Sequence, residues 1–393
     1  MFQEQKLMGM SVIGICNKKI SFSHYQGWAD WQRKIPIDSH TKYRVASVSK
    51  VVTSIALMQL WEKGLFQLDD DINSYLGFSV RNPLFPDVAI TFRMLLSHTS
   101  SIADGSGYEP FLAATFQKDA SPPSISHLFA TNGIYYHPSM FLDKKPGSFF
   151  NYSNAAYGLV GTLIEKISKV RFDIYCRQNI FIPLGLDASF NVQDLKNIDN
   201  LAVLYRKKEK EWVAQADDYN GLMPSSKNLD SYVIGSNGLL FSPQGGLRIS
   251  AKDLAVLALV MLQQGEYQQK QILKSKTLTM MLAPQWRFNG KNGNSYDGLF
   301  RAWGLGLHIS TLTPQYDVVF TNNPMIGHPG EAYGLLSDWY FNVQTGEAVI
   351  FITNGSEKPY TVGKKSAFYL PEEICFSIVQ KVLRDRCNNK RKK

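Results

Sequence analysis

Ser47-Val48-Ser49-Lys50 sets a hydroxyl nucleophile and an amine three residues apart, one turn along a shared face if the segment is helical. At the N-terminus of a buried helix the serine would lie beside unpaired backbone N–H groups. Burial and the positive helix end would both lower the lysine pKa, leaving a neutral amine able to take the serine proton. The plain alternative is an N-cap serine with a solvated lysine. Alone the pattern is weak, since a chain of this composition should hold S-x-x-K by chance on the order of once or twice. It recurs as Ser39-His40-Thr41-Lys42, in a polar loop that opens no helix, and that copy reads as the chance one.

Tyr152-Ser153-Asn154 follows the turn Pro146-Gly147-Ser148 and precedes a helical stretch, so a phenol and an amide stand at a loop-helix junction. By itself it reads as a cap, with Asn154 capping and Tyr152 packing. His328-Pro329-Gly330 precedes a strand-like run, Tyr333 to Val343. Its glycine permits close backbone approach, and a strand edge with free N–H groups can hold an extended acyl substrate. The other histidines show no metal-ligand spacing: there is no H-E-x-x-H, and His98 and His308 stand alone. Metal catalysis and a cofactor are not expected. No G-x-S-x-G elbow is present, and Gly235-Ser236-Asn237-Gly238 has the wrong spacing.

The elements that must position these groups can be read from apolar patterning. Residues 45 to 63 are apolar almost all round, from Val45 to Trp61, as a core helix requires, with Gly64 as its stop. Leu68-Asp69-Asp70-Asp71 reads as the opening of a short helix. Ser11 to Cys16, the turn Asn17-Lys18, and Lys19 to Tyr25 read as a β-hairpin. Helical stretches at Phe92 to Ser97, Asn154 to Lys169, Ala251 to Gln264 and Lys274 to Leu282 fill the middle, with strand-like pieces at Leu201 to Arg206 and Trp212 to Gln215. Toward the end, Val318 to Phe320, Tyr333 to Val343 and Ala348 to Asn354 read as an antiparallel meander with turns at Gln344-Thr345-Gly346 and Asn354-Gly355, closed by a helix from Pro371 to Cys387. The expected fold is α/β (α+β): an antiparallel sheet flanked by N- and C-terminal helices and built from 1–64 and 311–393, with a mainly helical domain, 65–310, inserted.

Composition bounds the function. At 393 residues, 44% hydrophobic and 19% charged, the chain can bury a large core. The longest uncharged apolar run, Leu254 to Leu262, is under half of the roughly 20 residues a membrane span needs. Leu7 to Ile15 has the length of a signal-peptide core, but Glu4 beside Lys6 and the large Ile15 argue against cleavage, so no leader is expected. The net charge of +9 is concentrated in Lys381 to Lys393, where seven basic residues and one Asp leave +3 for the rest. A solvated basic tail at 388–393 explains this, and no nucleic-acid partner is expected; contact of the tail with an acidic membrane surface is the alternative. Cys16, Cys176, Cys375 and Cys387 form no C-x-x-C pair. Cys375 and Cys387, 12 residues apart on one helix, lie ~18 Å apart and cannot bridge. Nothing in this spacing demands an oxidising compartment.

Taken together, the order and separation of the three motifs resemble the penicillin-recognising serine hydrolases, most closely the class C β-lactamase-like family with its D-Ala-D-Ala carboxypeptidases, D-aminopeptidases and carboxylesterases. Connecting runs match too: Leu95-Leu96-Ser97-His98-Thr99-Ser100, with Ser101 where glycine is usual, Pro183-Leu184-Gly185-Leu186, Gly245-Gly246-Leu247 with Lys252-Asp253-Leu254, and Trp303-Gly304-Leu305-Gly306. The likeness runs from about residue 10 to 380. It implies that Ser47 is acylated, that Lys50 is its base, and that Tyr152 shares the proton and passes it to the leaving group. Asn154 would hold substrate and Lys50, while His328 and Gly330 would line the strand side. The backbone N–H groups of Ser47 and Glu331 would form the oxyanion hole. Lys50 and Tyr152 would titrate as a pair, either serving as main base.

One departure narrows the substrate. Many family members carry threonine or serine at the middle of the third motif, where the hydroxyl meets a substrate carboxylate; Pro329 has neither hydroxyl nor N–H. His328, in place of lysine, also lowers the fixed positive charge. Ester or endo-type amide hydrolysis of a small-molecule ester or peptide is therefore favoured over β-lactam or D-Ala-D-Ala cleavage, with a non-catalytic binding module of the same fold as the further alternative. Family members are often periplasmic or secreted.

Overall fold

The computed structural model describes residues 2–117, 120–225, 229, 231–357 and 359–388. Its main sheet comprises β1 (Gly9–Cys16), β2 (Lys19–Asp30), β3 (Ile35–Pro36), β4 (Trp286–Arg287), β5 (Ala302–Trp303), β6 (His308–Ile309), β7 (Ile326–Ala332), β8 (Leu335–Asn342) and β9 (Glu347–Thr353). They lie in the order β4-β5-β6-β7-β8-β9-β1-β2-β3. Every neighbouring pair is antiparallel. The N-terminal hairpin turns at Asn17 and Lys18, both at positive φ, and β1 then pairs with β9, so strands from the two ends of the chain are neighbours.

The longest helices are α1 (Ser49–Glu62), α2 (Asn154–Ser168), α3 (Ala251–Leu262) and α4 (Leu370–Asn388). All eight residues of β8 are buried, because both faces of the sheet are covered. Leu335, Trp339 and Phe341 join the large core with α1, α2 and α3, and the Trp339 indole donates to the Leu254 carbonyl at 3.0 Å. Leu336 and Tyr340, pointing the other way, pack with Phe368, Phe376, Val379 and Leu383 at and along α4. Burial on both sides explains why this strand, LLSDWYFN, does not alternate apolar with polar residues.

Several elements differ from expectation. The third motif precedes the expected strand, present as β8, but itself also lies within a strand, β7, and Tyr333-Gly334, both at positive φ, make the turn between the two. Proline and glycine weaken the local strand signal, yet β6 pairs only with Ile326 and Gly327, so proline sits where β7 has no outer strand partner. Val318 to Phe320 is not a strand: Phe320 only bridges to Asn323, and the apolar pattern reflects packing against the α4 side. At Asn354 the chain does not reverse; Gly355–Glu357 continues into a parallel pairing with Leu204–Lys208. The short helix after Asp71 begins at Asn73.

The sheet also reaches across the expected boundary at 310, since β4, β5 and β6 come from 286–309 and are too short to leave a periodic trace. Cys16 and Cys387 are joined by a disulfide, with Cα atoms 6.6 Å apart and a sequence separation of 371. That pairing ties the N-terminal hairpin to the end of α4, and sequence spacing carries no sign of it. Cys176 and Cys375 are buried free thiols. No helix among the described residues is long and apolar enough to cross a membrane. Of the basic tail at 388–393, residues 389–393 lie outside the described residues.

Candidate active site

The strand Lys42–Arg44 pairs with Arg248–Ser250 and leads to Ala46, whose φ of 46° lies in the left-handed region. For a residue with a Cβ that conformation costs roughly 1 to 2 kcal/mol, which the surrounding packing must impose. A single 3-10 turn, Ala46–Val48, then runs into α1, and neither start carries a side-chain cap. Ser47 is therefore not an N-cap, and its hydroxyl is left for other partners.

Lys50 is fully buried, and its Nζ lies 3.2 Å from Ser47 Oγ, 2.8 Å from Asn154 Oδ1 and 2.8 Å from the Gln244 carbonyl. Burial pulls its pKa down to about 7, with the nearby charge of Asp104 opposing. A neutral amine has two N–H groups and one lone pair. With Asn154 and Gln244 accepting the two N–H groups, the lone pair is left for the Ser47 hydroxyl proton. The arrangement thus fits the deprotonated lysine as well as the ammonium.

Asn154 and Tyr152 stand at the start of α2. The cap is Ser153, whose hydroxyl accepts from Ala156 N–H at 3.1 Å, rather than Asn154. Asp104, which sequence reasoning did not single out, accepts from Asn154 Nδ2 at 2.9 Å, from the backbone N–H groups of Asn154 and Ala155, and from the Ser153 hydroxyl. It holds the Asn154 amide with its oxygen toward Lys50. The Tyr152 hydroxyl is buried without a hydrogen bond of normal geometry. Burial holds its pKa well above 10, although the Ser47 hydroxyl draws it down, and Lys50 Nζ lies 4.7 Å from its ring centroid.

On β7, Gly330 allows a close approach: a Cβ there would stand 2.4 Å from Ser337 Oγ, 2.9 Å from the Val45 carbonyl and 3.1 Å from Ser47 N. His328 is buried and donates from Nδ1 to the Pro329 carbonyl at 2.6 Å, leaving Nε2 without a partner. Burial, then the Lys50 charge, keeps it well below 6.5 and hence neutral. Glu331 is exposed and lines both cavities that meet at Ser47.

One cavity, about 560 Å³, runs from Ser47 and Tyr152 past Pro329 to Phe300, Phe368 and Glu372. The other, about 460 Å³, lies beyond Asn154 and is edged by Arg44, Arg206 and Tyr333. The second S-x-x-K copy takes no part: Lys42 Nζ pairs with Asp187 at 2.8 Å. Among the described residues, no group of three or more His, Cys, Asp or Glu is arranged to hold a metal ion.

A serine set beside a buried lysine at a helix start, with a Y-x-N and a strand closing the site, defines a class of protein, and comparison places the chain within it. The family model described as Beta-lactamase matches residues 1–367, so the chain belongs to the Beta-lactamase family. Members of this fold are serine hydrolases, esterases, amidases and penicillin-binding proteins among them. The chain is 29% identical over 168 residues to Penicillin-binding protein 4* of Bacillus subtilis (strain 168), a match covering 43% of this chain and 34% of that protein. It therefore spans about a third of that relative's length. The octameric penicillin-binding protein homologue from Pyrococcus abyssi superimposes with a TM-score of 0.71 at 22% identity, over 97% of this chain and 74% of that one. EstCE1, a hydrolase with promiscuous acyltransferase activity, does so at 0.66 and 19% identity, over 96% and 94%. At these identities the likeness shows the fold.

Proposed function

We propose that this protein is a serine hydrolase that forms an acyl-enzyme on Ser47 and acts on small esters or on amides lacking a free carboxylate beside the scissile bond. The observation that carries the reading is the buried Lys50 amine, 3.2 Å from Ser47 Oγ and fixed by Asn154 and the Gln244 carbonyl. Neutral Lys50 takes the Ser47 proton as Oγ attacks the carbonyl carbon, and the backbone N–H groups of Ser47 and Glu331 receive the developing oxyanion. Tyr152, whose pKa is too high for a ground-state phenolate, gives its proton to the leaving group as the tetrahedral intermediate collapses and takes one back from the Lys50 ammonium, which returns the lysine to its neutral form. Water then attacks the acyl-enzyme by the reverse path. Lys50 is thus the main base.

The substrate preference rests on the cavity between Ser47 and α4. Its wall carries Pro329 in place of a hydroxyl, the carboxylates of Asp297 and Glu331 and, among the described lining residues, one cation, Lys364, while burial keeps the Glu372 carboxyl protonated near neutral pH. That lining disfavours a carboxylate and suits an uncharged aromatic or aliphatic group. β-Lactamase or D-Ala-D-Ala carboxypeptidase activity is the competing reading.

A fluorophosphonate probe should label the protein once, at Ser47. Ser47→Ala should abolish labelling and ester turnover, while Ser39→Ala should leave both intact. Labelling that survives Ser47→Ala would refute the mechanism, and a folded wild type that neither labels nor turns over esters would point to a binding module.

A further inference from the structure

His98 has no part in the chemistry above, yet its contacts converge on Tyr152. Its backbone sits at a φ of 56°, and its carbonyl accepts from Asn151 N–H at 2.8 Å. Its ring Nδ1 accepts from Ser153 N–H at 3.2 Å. One buried residue therefore holds the peptide on both sides of Tyr152. Between these two bonds the imidazole lies on the phenol ring, centroids 4.4 Å apart at 34°. Phe300 stacks on Tyr152 at 5.7 Å and 19°, and Trp303 meets both His98 and Tyr152 edge-on.

The Nδ1 bond requires a neutral imidazole with its proton on Nε2, because an imidazolium would set N–H against N–H. Burial above all, with Lys50 nearby, presses the His98 pKa well below 6.5 and preserves that form. The need for such a clamp follows from the other end of the tyrosine. No hydrogen bond of normal geometry anchors the Tyr152 hydroxyl, so its placement beside Ser47 must come from its ring and backbone.

We propose that His98 is a positioning residue that acts through Tyr152, fixing the phenol for proton transfer to the leaving group; this rests on the reading of Tyr152 given above. A misplacement near 1 Å of a group in the reaction costs on the order of 100-fold. His98→Ala should therefore lower kcat/KM roughly 10- to 100-fold.

The test is a double-mutant cycle on 4-nitrophenyl acetate, with kcat/KM expressed per fluorophosphonate-titrated site in wild type, His98→Ala, Tyr152→Phe and the double variant. In the Tyr152→Phe background, His98→Ala should cost less than about threefold, because the residue it positions has lost its hydroxyl. His98→Asn keeps an acceptor for Ser153 N–H and tolerates the left-handed backbone, so it should recover most of the loss. Equal losses from His98→Ala in both backgrounds overturn the proposal. Wild-type rates in Tyr152→Phe overturn instead the role of Tyr152. Should His98→Ala fail to fold, the cycle is run with His98→Asn: any loss from the missing ring contact should vanish in Tyr152→Phe, and a loss persisting there overturns the proposal.

Discussion

Lys50 Nζ and Asn154 Oδ1 stand 2.8 Å apart across 104 residues of sequence, and that bond joins the first turn of α1 to the first residue of α2. Asp104, gripping the same asparagine from behind, makes the amide a one-way acceptor. The Lys50 amine is thereby placed by two helix starts and by an aspartate that is hydrogen-bonded to Asn154.

From this follows the pH dependence. In the proposed mechanism acylation needs the neutral amine, so kcat/KM for a non-ionising ester should rise with pH through about 7, where burial places Lys50, and level off above it. Asp104 favours the charged lysine, so Asp104→Asn should move this limb to lower pH. The same change removes acceptors from the start of α2 and should cost about 0.5 to 2 kcal/mol of stability. A limb that stays in place in a folded Asp104→Asn protein would show that Lys50 does not govern it.

How much of this was legible beforehand depends on the range of each interaction. Ser47 and Lys50 are one helical turn apart, so type and spacing sufficed. Tyr152, Asn154, His328 and Gly330 were legible as motifs, and the structure brings all of them around Lys50 and Ser47. Asp104, the Gln244 carbonyl and the clamp at His98 were not, because each meets its partner through tertiary folding at separations no local rule encodes. Likewise Pro329 and Gly330 masked β7, whose pairing comes from β8 and not from propensity. The two-residue strands β4 to β6 are shorter than any period.

A second expectation concerns Asp338 on β8 and Glu372 on α4. Both are buried; burial and their mutual repulsion hold Asp338 well above the usual carboxylate range, and burial lifts Glu372 to about 8. These carboxyls bind more protons folded than unfolded, so the stability they contribute is present below the ordinary value near 4.5 and is lost as pH rises through about 8. Asp338→Asn removes one charge of the pair and should flatten that alkaline decline. Urea unfolding at pH 6 and pH 9 measures it, and an unchanged difference between the two pH values would show that this buried pair does not set the alkaline decline.

The Cys16–Cys387 bridge pins the end of α4 to β1, and α4 carries Glu372 on the cavity wall. Protein made in an oxidising compartment should show two titratable thiols when unfolded without reductant, Cys176 and Cys375. Cys16→Ser should lower stability by about 2 to 5 kcal/mol, given the length of chain the bridge closes. Four titratable thiols in that protein would mean that the bridge does not form.

Substrate choice rests on what Pro329 lacks. Pro329 lines the cavity between Ser47 and α4, opposite Asp338 in the β7–β8 register, and offers no donor to a carboxylate. A hydrogen bond from a hydroxyl to a charged group contributes about 1.5 to 3 kcal/mol, so its absence should weaken carboxylate recognition roughly ten- to a hundredfold. The acidic residues around the same cavity act in the same direction. Short-chain aryl esters should then be turned over far better than a cephalosporin or a D-Ala-D-Ala peptide. Pro329→Thr should move the ratio of kcat/KM toward the carboxylate-bearing substrates without raising esterase activity, provided β7 keeps its pairing with β8. Side-by-side kcat/KM values for one aryl ester, one cephalosporin and one D-Ala-D-Ala peptide decide the matter. A wild-type preference for either carboxylate-bearing substrate would mean that specificity is set elsewhere, with Arg44 and Arg206 on the opposite side of Ser47 the first residues to replace.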